Sequence, residues 1–276
     1  MHVPHSYIEE SVHTALIEDI GTGDVTARLI PDEEFSLASV TSRESGIICG
    51  IDWFDEVFSQ LDQQIHVEWE VDDGEKIDAG QQLCTLSGST RALLSGERTA
   101  LNFLQTLSAT ASTAAEYAAA VSGTGTRVLD TRKTIPGLRI AQKYATSCGG
   151  CHNHRIGLYD AILIKENHIL ASGGIQEAVN AARINNPELM IEIEVESIEE
   201  METAIMTKVE RILLDNFNLG LLKQAVSLNN GQAELEASGN VTLENIRAIA
   251  ETGVDYISTG ALTKNIQALD LSMRFS

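Results

Sequence analysis

The chain lacks the long apolar segments that membrane and secreted proteins carry. No stretch of its 276 residues approaches the roughly 20 apolar residues of a membrane-spanning helix, which excludes such a helix. Residues 1–19 are mixed and acidic with no apolar core, so we expect no secretory signal. We therefore expect a cytoplasmic protein whose four cysteines are reduced thiols.

Basic and aromatic residues are also scarce. The chain has 19 Lys and Arg against 40 Asp and Glu, a net charge of -21, and this acidity argues against nucleic acid or an anionic membrane as a partner. An aromatic content of 5%, with many Ala, Ile, Leu and Val, favours an α/β core. The chain is long enough for one large domain or two of ordinary size.

The few bases are concentrated in one window. Residues 127–165 hold seven bases and only two acids, a local net charge of +5. Like charges placed together cost free energy unless an anion relieves them, so the window predicts a pocket for a ligand with several carboxylates or phosphates. Two runs, Asp130-Thr-Arg-Lys-Thr and Asn153-His-Arg, place polar donors beside Arg, as fork-like recognition of such groups requires.

The two halves of the chain differ in pattern. Ile8, Val12, Leu16 and Ile20 share one face of a predicted helix over residues 6–20, and short strands separated by turns follow up to about residue 88. A helical stretch rich in Ala, Leu and Thr then runs from about 90 to 120. We place the boundary between a smaller N-terminal domain, 1–107, and a larger C-terminal domain, 108–276.

The second half alternates short apolar strands with helices. Six such strands are predicted, near residues 127, 161, 190, 211, 233 and 254. Repeated βα units imply a parallel sheet. Polar residues end nearly every strand, as expected of an α/β barrel whose active site lies at the carboxyl ends: Asp130, Lys165, Glu194 or Glu196, Asp215, Ser238, Gly239, Ser258 and Gly260. A doubly wound sheet is the alternative, with one crevice at a switch point.

The strand Ile191-Glu-Ile-Glu-Val-Glu places three carboxylates on one face. Alternation puts Glu192, Glu194 and Glu196 together, and the surrounding barrel pattern favours the inward face for them. Three interior carboxylates would repel one another unless cations or a metal intervened. We therefore expect at least one of them to be functional.

Cys148-Gly-Gly-Cys151-His152 spells the attachment pattern of c-type haem, and it could also be a redox pair or half of a zinc site. No export signal and no second Cys pair accompany it. The histidines that could complete a zinc site, by residue type alone, are His152, His154 and His168. The glycines fit better as a loop that brings backbone close to an anion, with the cysteines as two small thiols.

A series of motifs identifies a family. Over nearly the whole chain the sequence resembles the quinolinate phosphoribosyltransferases, and the motifs occur in one order: Glu18-Asp-Ile-Gly-Thr-Gly-Asp-Val-Thr, Ser95-Gly-Glu-Arg-Thr-Ala-Leu-Asn, Asp130-Thr-Arg-Lys-Thr-Ile-Pro-Gly-Leu-Arg, Cys148-Gly-Gly-Cys-His-Asn-His-Arg, Ile164-Lys-Glu-Asn-His, Glu192-Ile-Glu-Val-Glu, Leu213-Leu-Asp-Asn, Glu236-Ala-Ser-Gly and Ser258-Thr-Gly-Ala-Leu-Thr. The resemblance implies an incomplete, seven-stranded α/β barrel with a smaller N-terminal α/β sandwich domain. It also implies decarboxylating transfer of phosphoribose from phosphoribosyl pyrophosphate (PRPP) to quinolinate, in NAD biosynthesis.

The resemblance also implies roles for individual residues. Quinolinate, a pyridine dicarboxylate, would lie against Arg132, His154, Arg155 and Lys165, with Arg98 reaching in from the other subunit of a homodimer. Glu194 and Asp215 would hold ribose hydroxyls and Mg²⁺, mainly through PRPP and water. The 5-phosphate would lie against Ser238, Gly239, Gly260 and Lys264, and Thr131, Lys133, Asn240, Thr259 and Ala261 complete the predicted substrate-binding set. The predicted catalytic residues are Lys133, Lys165, Glu194 and Asp215.

The sequence departs from the family pattern at Cys151, where relatives carry the third of three glycines, and Lys264 replaces another basic or polar residue. Three other functions stay open. A molybdenum-transport paralogue or a nicotinate-specific phosphoribosyltransferase would lack part of the dicarboxylate set, whereas Arg98, Arg132, Arg155 and Lys165 are all present. A metal or haem redox protein would instead depend on Cys148, Cys151 and His152.

Overall fold

The computed structural model describes all residues, Met1–Ser276. The chain divides into two compact units. The first contains residues 1–115, 135–150 and 265–276, and the second contains residues 116–134 and 151–264. No helix combines the length and the apolar character that crossing a bilayer requires.

The first unit is built on an antiparallel sheet. Its strands are β1 (Phe35–Ser42), β3 (His66–Trp69), β5 (Gln82–Ser89) and the C-terminal β12 (Leu271–Phe275), in the order β12-β1-β5-β3. A separate two-stranded ladder joins β2 (Gly46–Ile47) to β4 (Lys76–Ile77). Buried and less buried residues alternate along the second half of β1, as period-two side-chain geometry dictates.

Helices supply much of the first unit's core. They are α1 (His5–Ile20), α2 (Ile51–Leu61), α4 (Arg139–Cys148) and the long α3 (Thr90–Ala120), whose last turns belong to the second unit. Helix α1 buries Ile8, Val12 and Leu16 because residues four apart share one helix face, which confirms the predicted helix. The α2 residues Trp53 and Phe54 are fully buried.

The second unit is built on a parallel sheet of six strands. They are β6 (Arg127–Leu129), β7 (Ile162–Ile164), β8 (Ile191–Val195), β9 (Arg211–Asp215), β10 (Glu234–Ser238) and β11 (Tyr256–Ser258). Its helices are α5 (Glu166–Ser172), α6 (Ile175–Asn185), α7 (Ile198–Met206), α8 (Leu219–Asn229), α9 (Ile246–Ala250) and α10 (Ala261–Lys264). The mixed α/β architecture and the parallel sheet are therefore confirmed.

The strand order is β6-β11-β10-β9-β8-β7. Successive strands from β7 to β11 are neighbours without a reversal, so the order has no switch point of the doubly wound kind within that run. All carboxyl ends lie along one edge because every pairing is parallel. An isolated parallel bridge also joins Leu129 of β6 to His152. The polar strand ends expected from the sequence are thereby brought together.

Candidate active site

A cavity of about 290 Å³ lies at the carboxyl ends of the second unit's strands. Its lining combines bases, acids, hydroxyls and two leucines: Thr131, Arg132, Lys133, His154, Arg155, Leu163, Lys165, Glu194, Leu213, Glu236, Ser238 and Ser258. The structure thus brings together eight of the predicted site residues, from four strand ends and one loop.

The bases of the cavity are crowded enough to affect one another. Burial, and then the positive charge of Arg132, lowers the pKa of Arg155. Its Nη1 donates to the carbonyl of Ala161 at 3.2 Å, which fixes the direction of the side chain. An anion placed between Arg132 and Arg155 would relieve their mutual repulsion, so this part of the cavity is suited to a carboxylate or phosphate.

Asp130 holds the loop that carries two of these residues. It is fully buried at the end of β6, and it accepts the backbone N–H of His154 at 2.9 Å and the Asn153 side-chain amide at 2.7 Å. Its own backbone N–H donates to the carbonyl of His152 at 3.0 Å. The acid of the Asp130-Thr-Arg-Lys-Thr motif therefore positions the Asn153-His-Arg loop.

Lys165 and Glu194 form an ion pair at the ends of the adjacent strands β7 and β8. Lys165 is half-buried and Glu194 is mostly buried, and both line the cavity. Asp215 ends β9, and its carboxylate accepts the side-chain amide of Asn216 at 2.7 Å, but it is not among the lining residues. Glu196 follows β8, is exposed and lines a different, smaller cavity. Of the three glutamates of this segment, only Glu194 lines the main cavity.

Two further carboxylates lie against His154. Its Nε2 is 2.7 Å from Oε2 of Glu192 and 3.6 Å from Oε2 of Glu236, and both carboxylates are almost entirely buried. Burial raises the pKa of Glu236 to about 8, and the charge of Glu192 raises it further while His154 lowers it. Burial also raises the pKa of Glu192. These atoms could hold a metal ion on distance alone, but Nη1 of Arg211 lies 3.5 Å from the same Glu236 oxygen and supplies positive charge there.

The loops after β9 and β10 interlock through one glycine. Gly239 has a φ of +100°, and a Cβ there would lie 2.1 Å from Oδ1 of Asn216. The Asn240 side chain donates to the same Oδ1 at 3.2 Å. Only glycine fits this backbone and this contact, so Gly239 is what lets the turn after β10 pack against Asn216.

The loop after β11 lies beside Lys133. A Cβ at Gly260 would come within 2.9 Å of Cδ of Lys133, and the Thr263 hydroxyl donates to the carbonyl of Lys133 at 2.9 Å. Thr259 is buried and accepts the backbone N–H of Ala261, while Lys264 is exposed at the end of α10. The predicted site residues in the loops after β10 and β11 do not line the cavity; they are Gly239, Asn240, Thr259, Gly260, Ala261 and Lys264.

Arg98 and the cysteines lie elsewhere. Arg98 is exposed on α3 within the first unit. Cys148 belongs to the first unit, where a contact with Cys49 lowers its pKa. Cys151 is buried in the second unit, and burial raises its pKa to about 12. The possible metal-ligand group contains none of Cys148, Cys151 and His152, so the haem and zinc hypotheses gain no support.

The first unit has a larger cavity of about 410 Å³, to which Glu18 and Asp19 contribute acids and no base contributes. Its charge does not suit an anionic ligand.

Sequence reasoning missed four residues of the main cavity as site residues: Leu163, Leu213, Glu236 and Ser258. Glu236 and Ser258 occur in the quoted motifs, and Ser258 ends a strand, so their position was available as a signal. In the sequence Leu163 and Leu213 look like ordinary strand residues, and only the three-dimensional structure shows that they line the cavity.

Comparison with known proteins agrees with this geometry. Residues 24–108 match the family model described as quinolinate phosphoribosyl transferase, N-terminal domain, and residues 110–274 match the model for its C-terminal domain. The chain belongs to the quinolinate phosphoribosyltransferase family.

Two relatives are similar over nearly the full length of both chains. The probable nicotinate-nucleotide pyrophosphorylase (carboxylating) of Synechocystis is 41% identical, and the match covers 98% of this chain and 93% of the relative. The structure of the nicotinate-nucleotide pyrophosphorylase from Francisella tularensis is 46% identical, with a TM-score of 0.97 and coverage of 100% and 98%. Human nicotinic acid phosphoribosyltransferase, at 10% identity and a TM-score of 0.65 over 100% of this chain and 74% of the human one, shares the fold alone.

Proposed function

We propose that the protein transfers phosphoribose from PRPP to quinolinate with loss of one carboxylate, and yields nicotinate mononucleotide, pyrophosphate and carbon dioxide for NAD biosynthesis. The observation that carries this proposal is the cavity that places Arg132, His154, Arg155 and Lys165 together in a family member of otherwise acidic composition. Four nitrogen-bearing side chains around one small cavity suit a compact dicarboxylate.

The quinolinate subsite is the basic end of the cavity. Arg132 and Arg155 can each form a forked pair of hydrogen bonds with a carboxylate, and His154 and Lys165 add single donors. One carboxylate has to be held while the other departs, and directional donors achieve this better than diffuse charge. Leu163 and Leu213 would contact the flat faces or edges of the pyridine ring.

The PRPP subsite would extend along the later strand ends. Ser238, Gly239, Asn240, Thr259, Gly260, Ala261 and Lys264 would surround the 5-phosphate, since small residues leave backbone N–H groups open to phosphate oxygens. Lys133, whose side chain lies against Gly260, and Thr131 would approach the pyrophosphate.

The carboxylates of Glu194 and Asp215 fit a magnesium site. Both end neighbouring strands, and Mg²⁺ prefers carboxylate oxygens together with water and substrate phosphates. Lys165 already pairs with Glu194, so contact through PRPP and water suits this set better than a closed protein cage. When bound, Mg²⁺ would neutralise charge on the departing pyrophosphate.

The protein would contribute to the reaction by positioning the two substrates and by stabilising the charge that develops on them. Departure of pyrophosphate leaves an oxocarbenium-like ribose carbon, which the pyridine nitrogen attacks, and no protein nucleophile is needed. Lys133 and the cavity's other cations stabilise the leaving charge. The nitrogen becomes cationic and then stabilises the negative charge that stays on the adjacent ring carbon as carbon dioxide leaves.

We also infer a homodimer in which Arg98 enters the partner's cavity, because Arg98 is exposed on α3 rather than buried in its own unit. We further propose a cytoplasmic location, and the acidic composition supports the proposal that neither nucleic acid nor a membrane is a partner. The fold inferred is an incomplete seven-stranded α/β barrel beside an α/β sandwich. The pairing of β6 with the last strand β11, and the bridge from β6 to His152, support this inference.

One assay tests the proposal. Purified protein with quinolinate, PRPP and Mg²⁺ should release carbon dioxide and nicotinate mononucleotide in equal amounts. Arg132→Ala should reduce kcat/KM for quinolinate, and nicotinate in place of quinolinate should give no product. Turnover of nicotinate without turnover of quinolinate would contradict the substrate assignment.

A further inference from the structure

The decarboxylation requires a proton donor in the cavity. When the carboxylate beside the ring nitrogen departs as carbon dioxide, the electrons of the broken bond remain on the ring carbon. A proton must then be bonded to that carbon to complete the product. This inference rests on the proposed function, which requires the proton without identifying the group that supplies it.

Few groups of the cavity can act as that donor. Arg132 and Arg155 do not give up a proton at neutral pH, because guanidinium is too weak an acid. Lys165 is engaged by Glu194, and Lys133 lies against Gly260, where we place PRPP rather than the pyridine ring. Hydroxyls such as Ser258 are weaker acids still. His154, by contrast, lines the cavity on one side and contacts two buried carboxylates on the other.

The groups beneath His154 can store a proton. Glu192 lies 2.7 Å from Nε2 and orients the ring, while Glu236 lies 3.6 Å from the same atom. Arg211 is the other nearby cation, 3.5 Å from Glu236, and Arg155 acts on Glu192 from farther away. Neither cation is close enough to Glu236 for a charge-assisted hydrogen bond, and although Ser258 hydrogen-bonds to the carboxylate, burial and the charge of Glu192 outweigh this and favour the neutral form.

The cluster can hold its one mobile proton in two places. Arg211 lies 3.5 Å from Glu236 but also pairs with Glu234 at 2.9 Å, so it offsets the two buried carboxylates only in part, and a proton on His154 or on Glu236 offsets more of their charge. The proton can therefore lie on His154 or on Glu236 without changing the net charge of the buried cluster. Burial raises the pKa of Glu236 to about 8, so the carboxyl can hold this proton at neutral pH. A substrate carboxylate above His154 favours the arrangement in which the imidazole is charged.

We propose that His154 donates the proton that replaces the departing carboxylate, and that Glu236 beneath it is the reservoir from which His154 is recharged. The bond between the ring carbon and the carboxylate breaks, carbon dioxide leaves, and the electron pair on carbon takes the proton from His154. This is the one shared proton: Glu236 passes it to the imidazole before the transfer, is left as a carboxylate, and takes up a proton from solvent between turnovers. No oxidant, reductant or further reactant is needed.

The test separates transfer from decarboxylation. With enzyme in excess over quinolinate and PRPP, pyrophosphate release reports phosphoribosyl transfer, and carbon dioxide release reports the later step. Wild-type protein that releases no pyrophosphate would contradict the proposed function itself. The following comparisons address only the proton donor.

His154→Gln keeps a polar side chain of similar size, but a glutamine amide is too weak an acid to donate a proton at neutral pH. We expect it to release pyrophosphate while carbon dioxide release falls about 100-fold or more, because an unprotonated carbanion recaptures carbon dioxide. The dicarboxylate mononucleotide should then accumulate and be visible by mass spectrometry. His152→Gln, an exposed histidine of the same loop, is the matched control and should keep the wild-type ratio. Equal losses of both products, with a raised KM for quinolinate, would show that His154 only binds substrate and would overturn the proposal.

Glu236→Gln keeps His154 and tests the reservoir if the first variant fails to fold. In wild-type protein the decarboxylation rate should fall on the alkaline side as Glu236 loses its proton. The variant should lose this dependence and be slower at neutral pH, with pyrophosphate release retained. An unchanged pH profile would overturn the role of Glu236. Stoichiometric metal in the wild type that is lost in the variant would assign the cluster to a cation instead and would equally overturn it.

Discussion

Asp130 accepts the backbone N–H of His154 at 2.9 Å, so a buried carboxylate at the end of one strand determines where a cavity residue 24 positions later lies. The same carboxylate accepts the Asn153 amide. The loop therefore depends on an acceptor that touches no substrate in the proposed arrangement.

Asp130→Asn is expected to weaken this anchor. An amide nitrogen in place of one carboxylate oxygen opposes a donor with a donor, which costs about 1–3 kcal/mol in stability. Misplacement of His154 and Arg155 should also lower kcat/KM for quinolinate roughly tenfold or more. Denaturant unfolding and steady-state kinetics measure the two effects.

The matched control is Asp62→Asn, since Asp62 of the first unit also accepts a backbone N–H, from Gln64 at 2.9 Å. It should leave the kinetics unchanged. If Asp130→Asn kept full kcat/KM, the loop would have another anchor.

Lys165→Ala should affect catalysis more than stability. Lys165 is half-exposed and paired with Glu194 in the cavity, so its removal deprives the site of a positive charge and frees a carboxylate that repels the substrate. We expect kcat/KM to fall about 100-fold, by the size of effect that electrostatic groups have in active sites. Lys223→Ala, at an exposed position on α8, should change neither kinetics nor melting temperature. A loss of less than about threefold in the Lys165 variant would remove it from the catalytic set.

Gly239→Ala should weaken PRPP binding in particular. The new Cβ would meet Oδ1 of Asn216 at 2.1 Å on a backbone with φ of +100°, so the turn after β10 has to move. We expect a rise of about tenfold or more in the KM for PRPP, with a stability loss on the order of 1–3 kcal/mol.

Gly253→Ala separates strain from function. Gly253 has a similar φ of +94° but precedes β11, so it lies at the amino-terminal edge of the sheet, away from the proposed phosphate site, and its variant should lose stability and keep its KM for PRPP. Equal KM values in the two variants would contradict a phosphate site at Gly239.

Two inactive variants should complement each other if Arg98 acts across subunits. Arg98→Ala and Lys165→Ala homodimers are each expected to be inactive. Mixed dimers contain one cavity with both residues intact, so activity should return to about a quarter of the wild type, as random exchange predicts. Size-exclusion chromatography and tagged subunits establish that exchange occurs. Failure of exchanged dimers to regain activity would place Arg98 outside the shared site.

The sequence predicted the strand ends well because alternating βα units leave few topologies. Lys165 and Glu194 could be placed at one edge from the sequence alone, since Lys165 follows one short strand and Glu194 lies near the end of the next. The strand segment of Ile191-Glu-Ile-Glu-Val-Glu was interpreted less well. Glu194 lines the cavity, but Glu196 lies beyond the strand and Glu192 sits below the cavity against His154. Alternation gives a shared face but not the depth of each residue along it.

The protonation of Glu236 could not be predicted at all. In sequence it is one of two glutamates in a short strand, and Glu234 of the same strand is exposed. Only tertiary burial distinguishes them, because desolvation acts on the buried carboxylate alone. Contacts of this kind depend on residues distant in the chain, such as His154 and Arg211, and no local pattern encodes them.

Stability should therefore depend on pH through Glu236. Its folded pKa of about 8 lies above the ordinary value of 4.5, so between these values the folded protein holds a proton that the unfolded chain releases. The free energy of unfolding should then fall as pH rises from about 5 to 8, by an amount on the order of a few kcal/mol. The size of the effect is set by the groups that surround this carboxyl, which are Glu192, His154, Arg211 and Ser258.

Glu236→Gln mimics the protonated carboxyl and should remove this pH dependence of the free energy of unfolding, so the stability advantage of the variant over wild type grows with pH. Glu188→Gln, at an exposed position, should leave the slope unchanged. Urea unfolding at several pH values measures these differences, and parallel curves for wild type and Glu236→Gln would mean that Glu236 is ionised in the folded protein throughout the range.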